Sequence, residues 1–206
     1  QGKEINWIYY EKEVTQEKRV IPKIIWIYWD SINPNPLIDI CLDSVKKHCS
    51  DYEIHILNEQ TVEQYIGKIP QFKVELPVAN ISDYIRLALL SKYGGIWMDA
   101  SIFLTENFDW VYEKYNHQDA FVLYSDDCTT DLSNPITETW LIFAPENSQF
   151  VRDWFDEFTA CITSEHPHTY FSEIYTNKEF LQNIIDYNYL LSYLAAISIL
   201  RKNKYN

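Results

Sequence analysis

Apolar and polar positions along this chain alternate between two periods. IPKIIWIYW (21 to 29) is an apolar run opened by a proline and closed by Asp30 and the turn-rich NPNP, the pattern of a buried strand. LIDICLDSVKKHC (37 to 49) sets Leu37, Ile40, Cys41, Ser44 and Val45 on one face and predicts a helix. YEIHIL (52 to 57) alternates as a strand does, and TVEQYI predicts a second, short helix. Further strands are expected at GIWMD, AFVLY and TWLIFA, then helices over about 149 to 163 and about 178 to 200. Strands separated by helices predict an α/β fold, a mostly parallel central sheet with helices on both faces.

The stretch ISDYIRLALLSKYGGIWMDAS (81 to 101) concentrates the candidate chemistry. Asn80 is a good N-cap, and Asp83 three residues later suits the free N–H groups of a first turn. Asp83 and Arg86 also stand at i, i+3, the spacing of a helical ion pair. Ile81, Tyr84, Ile85, Leu87, Ala88, Leu89 and Leu90 cover nearly the whole circumference, so this helix is expected to be buried. A buried ion pair costs several kcal/mol of desolvation, and the wall of a polar cleft explains it better. Gly94 and Gly95 supply the left-handed turn that ends the helix. Asp99 then falls at the carboxyl end of the next strand, where α/β sheets hold their ligands, although an aspartate there is also an ordinary turn residue.

The chain has 206 residues, 47% of them hydrophobic and 16% aromatic, enough for one core and one domain over 1 to 206, with residues 1 to 19 as a charged flank. A formal net charge of -13 argues against nucleic acid as a partner. Cys41, Cys49, Cys128 and Cys161 have neither disulfide nor zinc spacing and read as buried thiols of a reducing compartment. The longest apolar run, 187 to 200, is shorter than a membrane span. It reads as a buried helix or, with Arg201, Lys202 and Lys204 behind it, as a helix on an anionic membrane surface. Asp126, Asp127 and Asp131 form an acidic loop that reads as solvated, and Glu165, His166 and His168 lack the helical spacing of a zinc pair.

SDYIRLALLSKYGGIWMDAS resembles the S-D-x-x-R... Y-G-G-[IV]-[YW]-x-D-x-[DST] signature of DXD-type sugar transferases, of glucosylating bacterial toxins and, most closely, of capsular polysaccharide synthesis proteins. IPKIIWIYW is similar to their I-P-K-I-I-H-x-x-W strand, with Trp26 at the histidine position, and ETWLIFAPENSQF (138 to 150) to a later E-S-W-F-[IL]-A-A segment. IDYNYLLSYL resembles a downstream run in which Ser192 stands where the family has histidine. The resemblance spans roughly residues 20 to 160 and implies a GT-A-type nucleotide-sugar fold, with a donor half over 20 to 105 and an acceptor-side half over 106 to 206. It implies Trp29 stacked on the base, Trp26 among the donor-binding residues, Ser82 and Asp83 at ribose or donor-sugar hydroxyls, Arg86 at the donor sugar or diphosphate, and Trp97 along the ribose. Asp99 is the first aspartate of the DXD and Ser101 replaces the second, so Asp99 and Ser101 would hold Mn2+ or Mg2+ with a weaker donor set than the usual carboxylate pair. Glu138 and the stacking wall of Trp140 are candidates for the acceptor side. The implied reaction is retaining transfer from a nucleotide-diphosphate sugar, UDP foremost, to a glycan or lipid-linked glycan in capsule or other surface polysaccharide assembly. The enzyme would be cytoplasmic, with peripheral contact at the inner membrane face. The alternative is a degenerate donor-binding or scaffold protein that lost turnover with Ser101.

Overall fold

Asn35 opens the first helix by accepting from the N–H groups of Leu37 and Ile38, with Pro36 at the first helical position, where its missing N–H costs nothing. The structure, a computed structural model, describes residues 5 to 9, 19 to 33, 35 to 203 and 205. Among these the elements run β1 (Ile24–Tyr28), α1 (Pro36–His48), β2 (Glu53–Leu57), α2 (Glu63–Ile66), α3 (Val78–Tyr93), β3 (Gly95–Met98), α4 (Asp109–Tyr115), β4 (Phe121–Tyr124), β5 (Thr137–Ala144) and α5 (Gln149–Thr163). Three single turns follow, α6 (Pro167–Tyr170), α7 (Ser172–Tyr175) and α8 (Lys178–Leu181), before α9 (Leu191–Lys202).

The strands order as β2-β1-β3-β5-β4. β1 is parallel to β2 and β3, while β5 is antiparallel to both β3 and β4, so β5 alone runs against the other four strands. Ile25 and Ile27 of β1 and Ile96 and Met98 of β3 pack with α1 and α4 on one face. Trp26, Trp97, Ile142 and Ala144 pack with α3, α5 and α9 on the other. Period-two alternation thus feeds two cores, and the three-layer α/β arrangement is the one the pattern predicts.

The sheet order locates the site. The chain leaving β1 goes to β2 on one side, and the chain leaving β3 goes to β4 on the other, so the connections diverge at the carboxyl ends of β1 and β3. Doubly wound sheets bind ligands at this reversal. Asp99 follows β3 there, and Trp29 follows β1 with its N–H donated to the Leu57 carbonyl at 3.0 Å.

Local expectations fail in two places. Asn80 is not an N-cap: α3 begins at Val78 after Pro77, and Asn80 lies within its first turn, fully buried, with neither side-chain amide atom hydrogen-bonded among the described residues. Asp83 consequently sits too deep in the helix for a capping role. The helix expected over 178 to 200 is broken after α8, because Gln182 takes φ 51 and turns its amide into the 130 to 134 loop. There its Oε1 accepts from the N–H groups of Thr130 and Asp131 and its Nε2 donates to the Asn134 carbonyl, at 2.7, 2.9 and 2.6 Å. The last helix follows the buried-helix alternative, since α9 buries Leu191, Leu194, Ala195, Ala196 and Ile199 in the core. Arg201 lies over the Phe180 ring at 3.8 Å and Lys202 pairs with Glu157; Lys204 lies outside the described residues. Among the described residues no helix is long and apolar enough to cross a membrane.

Candidate active site

Gly94 and Gly95 adopt φ 64 and 101, reversing α3 directly into β3. This tight turn sets α3 across the face of β3, and Arg86, two turns back from the glycines, reaches over the Trp97 ring at 4.9 Å. The guanidinium then bridges two carboxylates, with Nε 3.3 Å from Asp83 Oδ1 and Nη2 3.4 Å from Asp99 Oδ1. Nη1 donates to the Thr139 carbonyl at 2.5 Å, and Nη2 to the Ser82 hydroxyl at 3.4 Å. The Asp83 contact is an ion pair without hydrogen-bond geometry at Nε.

The two carboxylates differ in environment. Asp83 is 7% exposed, and its Oδ2 accepts from the Ser192 hydroxyl at 2.7 Å. Burial pushes its carboxyl up, and the charge of Asp99 adds to this, against the opposing pull of Arg86 and the Ser192 hydroxyl. The Asp99 side chain is 36% exposed. Its Oδ1 accepts from the Trp97 indole at 2.9 Å, and its backbone N–H donates to the Trp140 carbonyl at 3.0 Å. Among the described residues nothing hydrogen-bonds its Oδ2, so the fixed oxygen faces Arg86 and the other is available to a ligand.

Asp83, Arg86, Asp99, Ser82 and Trp97 therefore meet in one cluster. Trp97 is 1% exposed beneath Arg86 with its N–H spent on Asp99, so it holds those groups in place and has no free face for a ribose. Trp26 is likewise withdrawn. It is 2% exposed, stacked on His55 at 4.5 Å, with its indole N–H donated to the Gly94 carbonyl. Trp29 is half-buried just after β1, and its indole N–H, itself buried, has no partner among the described residues. Ser101 is exposed two residues after Asp99.

The acceptor-side candidates Glu138 and Trp140 flank Thr139 on β5, so the strand that receives Arg86 and Asp99 also carries them. Tyr193, the residue after Ser192, donates its hydroxyl to Glu138 Oε2. Burial and the Glu138 carboxylate push the Tyr193 phenol up. Thr139 and Tyr193 carry no local signal in the sequence; a strand carbonyl and a helix-start phenol become site residues only through packing.

Among the described residues no group of three or more His, Cys, Asp and Glu side chains could hold a metal ion. Asp99 Oδ2 and the Ser101 hydroxyl are too few donors for a resident hard cation. Mg2+ is, however, commonly held by one or two carboxylates together with substrate phosphates, and this set fits a cation that arrives with a diphosphate.

The chain matches the family model of the capsular polysaccharide synthesis protein over residues 3–205 and belongs to that family. No curated protein matches it. Among solved structures it is similar to the PaToxG glycosyltransferase, at 16% identity and a TM-score of 0.48, over 88% of this chain and 80% of that one.

Proposed function

We propose that this chain is a GT-A-type transferase that moves a sugar, with retention, from a nucleotide diphosphate, UDP foremost, to a glycan or lipid-linked glycan during surface polysaccharide assembly at the cytoplasmic face of the membrane. The observation that carries this reading is the buried Arg86 guanidinium held between Asp83 and Asp99 where the strand order reverses. Its desolvation is a poor bargain for stability alone. Its charge, held beside the partly open Asp99 carboxylate, is suited to stabilising the negative charge of an incoming diphosphate. Membership of the capsular polysaccharide synthesis family supports the same substrate class.

In this reading the half-buried Trp29 offers a planar face to the base, and Ser82 and Asp83 meet donor hydroxyls. Arg86 stabilises charge on the leaving diphosphate as the bond to the sugar carbon breaks. Asp99 and Ser101 would hold Mn2+ or Mg2+ together with the donor phosphates, and the ion would supply further neutralisation of the leaving group. No side chain in the cluster is an evident general base, which suits attack by the acceptor hydroxyl on the face the diphosphate leaves. Glu138 and Trp140 receive the acceptor.

The test is the melting temperature against a panel of nucleotide diphosphates and their sugars, with and without Mn2+, for wild type, Asp99→Ala and Arg86→Lys. A ligand that binds only the folded state raises it by mass action. A metal-dependent shift for one nucleotide, lost in both variants, is expected. No shift with any nucleotide in the wild type overturns the reading. Release of nucleotide diphosphate from the sugar that shifts the wild type separates an enzyme from a degenerate binder.

A further inference from the structure

We propose that the cleft beside β4 binds a neutral glycan and that Tyr193 helps to position it, an inference that rests on the transferase reading above for its place in the reaction. The cleft encloses about 470 Å³ and is lined by Trp7, Trp110, Tyr115, Phe121, Glu138 and Trp140 among others. This volume is within the range of specific small-molecule sites. Its wall is a run of rings in mutual contact: Tyr115 lies 5.1 Å from Phe121, Trp7 5.2 Å from Tyr115, and Trp110 5.7 Å from Phe121.

Three tryptophans keep part of their surface open, with Trp7 44%, Trp110 36% and Trp140 37% exposed. Large aromatic surfaces gathered in one concavity mark a binding site more than a fault in packing. Their chemistry selects the ligand. A pyranose presents a face of C–H groups that packs on an indole and an edge of hydroxyls that needs acceptors. Glu138 supplies the acceptor: Tyr193 holds its Oε2, and among the described residues nothing hydrogen-bonds Oε1. The carboxylate in the lining disfavours a phosphorylated or acidic ligand at this wall. A bare hydrocarbon chain would leave that carboxylate unsatisfied.

The cleft also joins the candidate active site through consecutive residues. Glu138 and Trp140 line it, the intervening Thr139 carbonyl accepts from Arg86, and the Trp140 carbonyl accepts from the Asp99 N–H. A glycan lying along β4 therefore brings one end beside Asp99, where a transferred sugar is to be received.

The experiment is saturation-transfer NMR with maltotriose, cellotriose and triacetylchitotriose as probes, on wild type, Trp140→Ala, Glu138→Gln and Tyr193→Phe, alongside each protein's nucleotide-diphosphate melting shift. Saturation transfer to at least one probe is expected, weakened about tenfold by Trp140→Ala and to a lesser degree by the other two. The nucleotide shift is expected to persist in Trp140→Ala, which also reports that this variant folds. Wild type that binds no probe, or Trp140→Ala that binds as well as wild type, overturns the inference, even where the nucleotide shift stands. Glycan binding without any nucleotide shift keeps the cleft and removes the donor reading instead.

Discussion

The Ser192 hydroxyl donates to Asp83 Oδ2 at 2.7 Å, joining α9 to α3 across 109 positions of the chain. The carbonyl of the same serine accepts from the Trp154 indole at 2.8 Å, so α5 shares the junction. Without the hydroxyl, a buried carboxylate loses the one neutral donor it has among the described residues. Ser192→Ala is expected to cost about 1–3 kcal/mol, a fall in melting temperature of roughly 5 °C, and to weaken the nucleotide shift. Ser192→Thr should recover most of both. Calorimetry that finds Ser192→Ala as stable as wild type would remove Ser192 from the site.

How much of this was legible beforehand depends on the range of the interaction. Gly94, Gly95 and Asp99 were readable because a left-handed turn and a strand end are local events, and the apolar runs fixed both faces of the sheet. Asn80 misled because Pro77, three residues earlier, already sets the helix start. The break after α8 was invisible because Gln182 leaves its helix for a loop some fifty positions earlier, at Thr130. Trp26 and Trp97 kept their motif positions, yet only packing reveals that their indole N–H groups are already spent. The apolar pattern of α9 marks a buried helix, and it does not say that Ser192 and Tyr193 end on two different carboxylates.

Asp83 makes a pH prediction with a definite sign. Its carboxyl is raised above the ordinary 3.8 chiefly by burial, so the folded state holds the proton more tightly than the unfolded chain. The stability this contributes is fully present below the unfolded value and is lost as pH rises through the folded one. Asp83→Asn cannot titrate. The melting temperature of wild type relative to Asp83→Asn should therefore fall as pH rises above the ordinary carboxylate value. A difference that is constant, or that grows with pH, would mean that Arg86 and Ser192 balance or outweigh desolvation at this carboxyl.

The reversal that sets α3 over β3 tolerates no side chain. A Cβ at Gly94 would lie 2.5 Å from the Glu146 nitrogen and 2.7 Å from the Pro145 carbonyl carbon, both backbone atoms, at a φ of +64. Gly67 offers a control, with φ +77 and nothing within 4 Å. Gly67→Ala should cost about 1 kcal/mol of backbone strain, and Gly94→Ala roughly 2–4 kcal/mol, because the clash adds to it. Urea unfolding of the two variants checks the difference. Equal costs would mean that the β5-to-α5 connection moves aside freely.

Ser101 allows the cation's place to be tested by gain as well as by loss. It is exposed two residues after Asp99, so a larger side chain meets no core. If a divalent cation bridges Asp99 and a bound diphosphate, Ser101→Asp replaces a neutral hydroxyl with a carboxylate at that cation, and hard divalent ions bind carboxylates more strongly. The Mn2+ concentration giving half of the nucleotide-dependent melting shift should then fall about tenfold, equivalent to about 1.4 kcal/mol. Ser101→Ala should raise it by a smaller factor. A general electrostatic effect would raise Mn2+ affinity in the absence of nucleotide as well, so the enhancement is expected only when the diphosphate is present. A Mn2+ titration unchanged in both variants would move the cation away from Ser101 and leave Asp99 as its single protein ligand.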